Sequence, residues 1–186
     1  MDLGGVLLAR HGETDDNVEP LRFQGFADTP LNATGRRQAF ELAGDVAAQE
    51  TPIASLWASD LSRARETAQI VGAAIGLRPR LDWRLREGSR GRWEGHTFDE
   101  IERAEPERYA AWQRGGAAFR FPGGESLLEQ QQRVTAALQD IKRVGPLPAL
   151  AVCHGGSIRV MLCVTDPRGL DAFHTFEVPN VAVVAL

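Results

Sequence analysis

The sequence lacks the features that mark several classes of protein. Its longest apolar runs, Val6–Ala9 and Val181–Leu186, are far shorter than the roughly 20 residues that a membrane-spanning helix needs. It has only two cysteines, Cys153 and Cys163, which are too few for a disulfide framework. The residues before Val6 show neither a positively charged leader nor a processing site, so no signal peptide is predicted. These absences predict a cytoplasmic protein that does not associate with a membrane.

The balance of charge argues against a nucleic-acid partner. The 186 residues include 21 Lys and Arg and 25 Asp and Glu, so the formal net charge at pH 7 is −4. Duplex nucleic acid is bound by a strongly basic face, and the sequence has no long basic run that would form one. Lys142 is the sole lysine among the basic residues. Guanidinium groups fit phosphate oxygens well, but only a few of the arginines can serve that purpose.

The length and apolar content fit a single domain over residues 1–186. Hydrophobic residues make up 43% of the chain and charged residues 25%, which allows a buried core. The sequence has no internal repeat, low-complexity segment or linker-like tract. Residues 84–124 are the longest strand-poor stretch, and they are predicted to form a lid or side wall within the domain.

Short apolar segments alternate with amphipathic helical patterns along the chain. The predicted strands are Val6–Arg10, Ser55–Ala58, Arg80–Trp83, Leu150–Cys153 and Val181–Leu186. The predicted helices run from Asn32 or Thr34 to Gln49, over Leu61–Ile75, over Phe98–Arg114 with an interruption at Pro106, from Ser126 to Val144, and over Gly156–Val164. This alternation predicts an α/β fold, a three-layer α/β/α sandwich with a mostly parallel central sheet.

Polar and glycine-rich residues follow three of the predicted strands. In parallel sheets the ligand lies beyond the carboxyl ends of the strands, so these residues are expected to meet at one edge. The three groups are Arg10-His11-Gly12, Ser59-Asp60 with Arg63, and His154-Gly155-Gly156. The sequence therefore predicts that two histidines and two arginines converge there.

These residue types suit the transfer of a phosphoryl group. A neutral imidazole such as that of His11 can attack phosphorus when its other nitrogen is held by a backbone carbonyl. The guanidinium groups of Arg10 and Arg63 can neutralise the charge on the phosphoryl oxygens. His154 can donate to a phosphoryl oxygen, aided by backbone N–H groups at the start of the next helix. Cys153, beside His154, is interpreted as a small buried hydrophobic residue rather than a nucleophile.

A general acid is also needed, because the leaving oxygen must take up a proton. Glu13, Glu87 and Glu94 are the candidates, and residue type alone does not choose between Glu87 and Glu94. A partly desolvated carboxyl near a bound phosphate is expected to have a raised pKa and to stay protonated.

The motifs occur in an order that resembles a known family. Arg10–Thr14 reads Arg-His-Gly-Glu-Thr, and Asn17 follows three residues later. The later motifs are Ser59-Asp60-Leu61 with Arg63-Ala64, Leu85 and Glu87 with Trp93-Glu94-Gly95, Pro122–Ser126, and His154–Gly156. Over roughly residues 6 to 181 the chain resembles the histidine phosphatase superfamily, in its phosphoglycerate-mutase-like branch.

The resemblance implies a role for each site residue. His11 corresponds to the phosphorylated nucleophile, and Glu87 rather than Glu94 occupies the proton-donor position. The implied phosphate pocket contains Arg10, Arg63 and His154, and the implied substrate-binding residues are Asn17, Gln24, Gly25 and Gly155. No metal and no organic cofactor are implied for hydrolysis.

Within this superfamily the sequence favours a phosphatase over a mutase. Only 35 residues separate Glu87 from Gly123, and the mutases carry an insertion there. The mutases typically have Asn where this chain has Gly156. The Pro122–Ser126 motif before a long helix is similar to broad-specificity phosphatases and α-ribazole phosphatases. A mutase, which would need priming by 2,3-bisphosphoglycerate, and a phosphate-ester-binding regulatory protein with little turnover are the alternatives.

The predicted partner is a small phosphorylated metabolite, with no nucleic acid or membrane partner. The sequence leaves open whether the protein is a monomer or a homodimer. The aromatic side chains of the 84–124 segment are interpreted mainly as packing that segment onto the core, with an apolar wall for the substrate as the alternative for one or two of them. Arg90, Arg92 and His96 are interpreted mainly as solvated charges of a loop, with contact to a second anionic group of the substrate as the alternative.

Overall fold

A computed structural model describes residues 3–186, which include a five-stranded sheet. The strands are β1 (Val6–Arg10), β2 (Ser55–Ala58), β3 (Arg80–Leu81), β4 (Ala149–Cys153) and β5 (Val183–Ala185). Their order across the sheet is β3-β2-β4-β1-β5. The first four strands are parallel, and β5 pairs antiparallel with β1. The predicted mostly parallel sheet is confirmed.

The sheet register brings three carboxyl ends to the same level. Arg10 at the end of β1 lies opposite Cys153 at the end of β4, and Ala58 at the end of β2 lies opposite Val152. His11 and His154 therefore follow directly from adjacent parallel strands. The expected meeting of the strand ends at one edge is confirmed.

Helices cover both faces of the sheet, as the sequence predicted. The helices of residues 3–186 are α1 (Ala33–Ala47), α2 (Ser62–Ile75), α3 (Phe98–Ala104), α4 (Pro106–Arg114), α5 (Leu127–Val144) and α6 (Gly155–Leu162). Side chains of β4 alternate between the two faces, because successive residues of a strand point in opposite directions. Leu150 packs with α1 and α2 residues, whereas Ala151 packs with α5 and α6 residues. None of these helices is long and apolar enough to cross a membrane.

Segment 84–124 forms a side wall that holds a separate apolar cluster. Trp93, Tyr109 and Phe121 are buried there against Val160 of α6 and the nearby Phe173. Phe23, from outside the segment, packs on Phe98 of the segment with 4.3 Å between the ring centroids. The interpretation of these aromatics as packing residues holds for Tyr109 and Phe121.

The structure shortens the third predicted strand and confirms two predicted helix boundaries. The third strand ends at Leu81 rather than Trp83, because the side chain of Asp82 accepts a hydrogen bond from the backbone N–H of Arg84 at 2.9 Å and starts a 3-10 turn. Asn32 is the N-cap of α1, with its side chain accepting from Gly35 at 2.8 Å. The predicted helix interruption at Pro106 separates α3 from α4, since proline supplies no backbone donor.

The loop after β1 packs against the first turn of α1 without any space between them. The hydrogen atoms of Gly35 face the backbone of Glu13, and a Cβ at Gly35 would lie 2.7 Å from the nitrogen and 2.8 Å from the carbonyl carbon of Glu13. Backbone atoms of a turn cannot move aside as a flexible side chain can. This close approach fixes the backbone that carries His11.

Gly35→Ala is expected to lower the free energy of unfolding by about 2 kcal/mol, because the added methyl overpacks a backbone contact. Gly44→Ala in the same helix is the matched control, since a Cβ there meets nothing within 4 Å. That control is expected to raise the free energy of unfolding by about 0.5–1 kcal/mol through helix propensity. Urea unfolding of the three proteins measures both effects, and equal values for the two variants would contradict the close-packing argument.

Candidate active site

A cavity of about 300 Å³ opens at the carboxyl ends of the strands. Its charged and polar lining residues include Arg10, His11, Glu87, Arg90 and Arg159. Its apolar lining residues are Leu21, Phe23, Phe98, Trp112 and Phe173. The cavity can therefore bind an anionic group beside a carbon skeleton.

His11 lies in the wall of the cavity and is held in one orientation. Its Nδ1 donates to the carbonyl oxygen of Gly12 at 2.6 Å, so the lone pair of Nε2 is free. Burial lowers the pKa of His11 well below its ordinary value, and the neighbouring His154 and the charges of Arg63 and Arg10 add to this effect. The imidazole is therefore neutral near pH 7, which is the form that acts as a nucleophile.

His154 lies behind His11, with the two ring centroids 5.1 Å apart. Nε of Arg63 donates to Nδ1 of His154 at 3.3 Å, since a guanidinium group can only donate. The proton of His154 therefore lies on Nε2, which is 2.9 Å from Oγ of Ser59. Burial lowers the pKa of His154 and the charge of Arg63 lowers it further, so this ring is also neutral.

Arg63 is completely buried and is fixed by backbone carbonyls. Its two outer nitrogens donate to Ala27 at 2.7 Å and to Gly25 at 2.9 Å. Burial lowers the pKa of Arg63 to about 10, against the opposing charges of Glu87 and other carboxylates, so the group keeps its charge at neutral pH. Arg63 and His154 are not among the described residues that line the cavity. Arg63 binds His154, and the ring of His154 packs against the ring of His11.

The remaining predicted residues meet at the cavity. The nitrogen Nη1 of Arg10 donates to the carbonyl oxygen of Val178 at 2.6 Å. The other predicted residues that line the cavity are Asn17, Gln24, Gly25, Glu87 and Gly155. A Cβ at Gly155 would lie 3.4 Å from Nε of Arg10, so glycine lets this arginine lie against the start of α6.

Glu87 is fixed by four hydrogen bonds to its carboxylate. The backbone N–H groups of Gly88 and Gly156 each donate at 2.9 Å, the Gln130 amide donates at 2.8 Å, and Nη2 of Arg90 lies at 3.3 Å. A Cβ at Gly156 would lie 2.8 Å from Nη2 of Arg90 and 2.9 Å from the carboxyl carbon of Glu87. Only glycine at this position leaves room for the carboxylate.

The expectation of a raised carboxyl pKa is wrong for Glu87 in this state of the protein. Burial acts to raise its pKa, but the charge of Arg90 and the hydrogen bonds from Gly156, Gly88 and Gln130 outweigh burial and lower the pKa to about 2. The sequence reasoning considered desolvation and did not include these partners. Glu87 is therefore a carboxylate near pH 7 when no ligand is bound.

The carboxyls of the other two candidates, Glu94 and Glu13, accept hydrogen bonds that hold neighbouring segments together. Oε1 of Glu94 accepts from the N–H groups of Phe26 at 3.0 Å and Arg90 at 2.9 Å, which joins two loops. Oε1 of Glu13 accepts from Asn32 at 2.9 Å. Of the three carboxyls only Glu87 lines the cavity among the residues that the structure describes.

Arg133 of α5 holds the backbone that carries Glu87. Its guanidinium forms a two-point ion pair with Glu125, at 2.9 and 2.7 Å. It also donates to the carbonyl oxygens of Arg84 at 2.7 Å, Arg86 at 3.0 Å and Glu87 at 3.2 Å. The loop is irregular, and its orphan carbonyls are satisfied by this single buried side chain.

Sequence reasoning favoured the wrong interpretation of one residue of the cavity and missed two others. Arg90 was interpreted mainly as a solvated charge, but it is buried beside Glu87. Arg159 lies four residues after Gly155 on α6, and this helical spacing was the available signal. Asn180 donates to the carbonyl oxygen of His11 at 3.0 Å and to Asn17 at 3.3 Å, and no motif marked it.

Two simpler interpretations can also be compared with the structure. Cys153 is fully buried, and burial raises the pKa of its thiol, as expected of a small hydrophobic residue. No group of three or more His, Cys, Asp and Glu side chains suited to a metal ion occurs within residues 3–186.

Comparisons with known proteins agree on one family. The family model of the histidine phosphatase superfamily (branch 1) matches residues 6–186. The probable phosphoglycerate mutase GpmB of Escherichia coli is 40% identical over 170 residues, which cover 90% of this chain and 76% of that protein. Phosphatases are found among the solved structures that resemble this chain.

Two such structures have phosphatase names. The mycobacterial glucosyl-3-phosphoglycerate phosphatase has a TM-score of 0.84 at 30% identity, with 96% of this chain and 88% of that chain covered. The phosphoserine phosphatase of Entamoeba histolytica has a TM-score of 0.80 at 25% identity, with 96% and 87% covered.

The depressed pKa of Glu87 predicts a specific dependence of stability on pH. The unfolded chain binds a proton at Glu87 near pH 4.5, whereas the folded protein does so only near pH 2. The stabilising contribution is therefore complete above pH 4.5 and is lost as the pH falls towards 2. When the pH is lowered from 6 to 3, the free energy of unfolding of the wild type is expected to fall by about 2 kcal/mol more than that of Glu87→Gln. Urea unfolding at the two pH values measures both changes. Parallel losses in the two proteins would contradict the assignment.

Proposed function

The chain belongs to branch 1 of the histidine phosphatase superfamily, and from this premise we propose that it hydrolyses small phosphate monoesters through a phosphohistidine at His11. It is a phosphatase of that superfamily, and its substrate and mechanism are the subject of the proposal. The observation that carries the proposal is the neutral imidazole of His11, whose free Nε2 lies in the wall of a cation-rich cavity.

In the first step Nε2 of His11 attacks the phosphorus atom and the bond from phosphorus to the ester oxygen breaks. The leaving oxygen takes a proton and departs as an alcohol. The guanidinium of Arg10 and the backbone N–H group of Gly155 at the start of α6 belong to the cavity wall and are available to bind the phosphoryl oxygens. The buried positive charge of Arg63, which binds His154, stabilises the negative charge on the phosphoryl oxygens during the transfer.

In the second step water attacks the phosphohistidine, and inorganic phosphate leaves with regeneration of the neutral ring. The carboxylate of Glu87 accepts the proton of that water. Because its pKa is depressed, Glu87 is ionised and able to accept this proton. In the first step Glu87 must be protonated. The ester can supply that proton, because a phosphate monoanion carries a proton with a pKa of about 6. The negative charge of the bound ester also raises the pKa of the nearby carboxyl.

A mutase is the second candidate, because named relatives are phosphoglycerate mutases. In that case the phosphoryl group passes from His11 to an acceptor hydroxyl rather than to water. Priming with 2,3-bisphosphoglycerate and measurement of phosphoglycerate interconversion distinguish the two. A phosphatase releases inorganic phosphate without such priming.

His11→Ala is expected to lower phosphate release at least about 1000-fold, since the loss of a nucleophile removes the covalent pathway. The assay uses an aryl phosphate, 3-phosphoglycerate, sugar phosphates, nucleotides and α-ribazole phosphate. His96→Ala is the matched control, because His96 is an exposed histidine outside the cavity wall, and it is expected to keep wild-type activity. More than about a tenth of the wild-type rate in His11→Ala would rule out His11 as the nucleophile.

Glu87→Gln is expected to slow alkyl phosphates about 100-fold or more, but to slow an activated aryl phosphate much less, because an aryl oxide needs little protonation. Initial rates on the two esters give the ratio. Glu94→Gln changes a neighbouring carboxyl that supports the backbone, so it is expected to slow both esters by a similar factor. A similar loss on both esters in Glu87→Gln would remove Glu87 from the proton-transfer role.

A further inference from the structure

The cavity contains more positive charge than one phosphoryl group requires. Arg10 lies in its wall next to His11 and can bind the oxygens of one phosphoryl group, while the buried charge of Arg63 acts without contact. Arg90 and Arg159 line the same cavity, as does Arg22, which donates to the carbonyl oxygen of Gly95. The guanidinium groups of Arg90 and Arg159 have no part in the proposed transfer beyond the contact of Arg90 with Glu87.

Arg159 is positioned but has no carboxylate partner. Its Nε donates to the carbonyl oxygen of Phe176 at 2.9 Å, which fixes the side chain and leaves its outer nitrogens for another acceptor. The guanidinium carbon lies 5.8 Å from the ring centroid of Phe173. Among the ion pairs of residues 3–186 none involves Arg159.

Arg90 is buried and only partly satisfied. Its Nη2 lies 3.3 Å from Glu87, and its guanidinium carbon lies 4.4 Å from the ring centroid of Phe121. Its Nη1 is buried and has no hydrogen-bond partner within the described part of the chain. Burying a donor without an acceptor is unfavourable, and an acceptor on a bound ligand would relieve it.

The positive charges are close enough to affect one another. Burial lowers the pKa of Arg90, the carboxylates Glu87 and Glu125 act in the opposite direction, and the charge of Arg159 adds to the lowering. Arg10 shows the same pattern, with burial first, Glu87 opposing and Arg159 adding to the decrease of its pKa. Two carboxylates, Asp16 and Glu87, line the cavity, and Glu87 acts on both Arg10 and Arg90. A bound anion would balance the guanidinium groups.

We propose that Arg90 and Arg159 form a second anion-binding site of the cavity. The preferred substrates are then small phosphate monoesters with a second anionic group, either a carboxylate or another phosphate. This inference rests on the proposed function and adds the substrate class. The volume of about 300 Å³ is at the lower end for ligand sites, which fits a small ester. Phe98, Trp112 and Phe173 also line the cavity and offer apolar contacts to the carbon skeleton of such an ester.

Two matched pairs of esters test the second site. 3-Phosphoglycerate and glycerol 3-phosphate differ by a carboxylate, and fructose 1,6-bisphosphate and fructose 6-phosphate differ by a phosphate. The ratio of kcat/KM within each pair is measured for the wild type and for Arg159→Met. Arg92→Met is the control, since it removes the same charge from an exposed residue outside the cavity wall. Thermal unfolding confirms that each variant is folded.

The wild type is expected to favour the anionic member of at least one pair about tenfold or more, because charge-assisted hydrogen bonds to a guanidinium are strong. Arg159→Met is expected to reduce that ratio to about threefold or less, and Arg92→Met to leave it unchanged. The pair of esters whose ratio falls in Arg159→Met shows whether the second site binds a carboxylate or a phosphate. A wild-type ratio near one in both pairs, or an unchanged ratio in Arg159→Met, would overturn the second site.

Failure of the proposed function would give a different result, namely no phosphate release from any ester. The second site is then tested by calorimetric binding of 3-phosphonopropionate and propylphosphonate, which differ by a carboxylate. Tighter binding of 3-phosphonopropionate by about tenfold, lost in Arg159→Met, supports the second site without turnover. Equal binding of the two phosphonates would overturn it.

Discussion

The arrangement of the cavity depends on the contact between the carboxylate of Glu87 and the N–H group of Gly156. This hydrogen bond of 2.9 Å joins the irregular loop after β3 to the first turn of α6. A helix N-terminus attracts negative charge, so the carboxylate is electrostatically favourable there. Because Glu87 is fixed in this position, Arg90 is drawn into the cavity with it. A Cβ at residue 156 would lie 2.9 Å from the carboxyl carbon of Glu87, so any larger residue there requires the Glu87 side chain to shift.

The same cavity shows how burial sets protonation states. Two imidazoles lie next to each other among guanidinium groups, and the combined effect keeps both rings neutral. The neutral state of His154 is also a geometric requirement, because its Nδ1 must accept from Arg63. Glu87 is also largely buried but stays charged, because the fixed donors around its carboxylate lower its pKa. Burial alone therefore predicts the charge of His11 and fails to predict that of Glu87.

Sequence reasoning predicted the elements that have strong local signals. The apolar strands, the N-cap of α1 and the helix break at Pro106 follow from short-range chemistry, and the rule on strand ends predicted which residues would meet. It failed where the answer depends on contacts between distant segments. Arg90 is in a glycine-rich loop that resembles a solvated one, and its burial depends on Phe121 and on α6. Asn180 reaches His11 from the far end of the chain, and no local pattern indicates such a contact.

The separation of the two histidine rings follows from the spacing of the sheet. His11 and His154 come directly after β1 and β4, which are paired in register, and neighbouring strands are about 4.8 Å apart. The ring centroids are 5.1 Å apart, which is close to that spacing. Strand pairing thus sets the spacing of the two backbones, and hydrogen bonds with Gly12, Ser59 and Arg63, all outside segment 84–124, orient the two rings. Mutations in that segment can accumulate over evolutionary time and alter ligand preference while the geometry of the histidine pair is inherited unchanged.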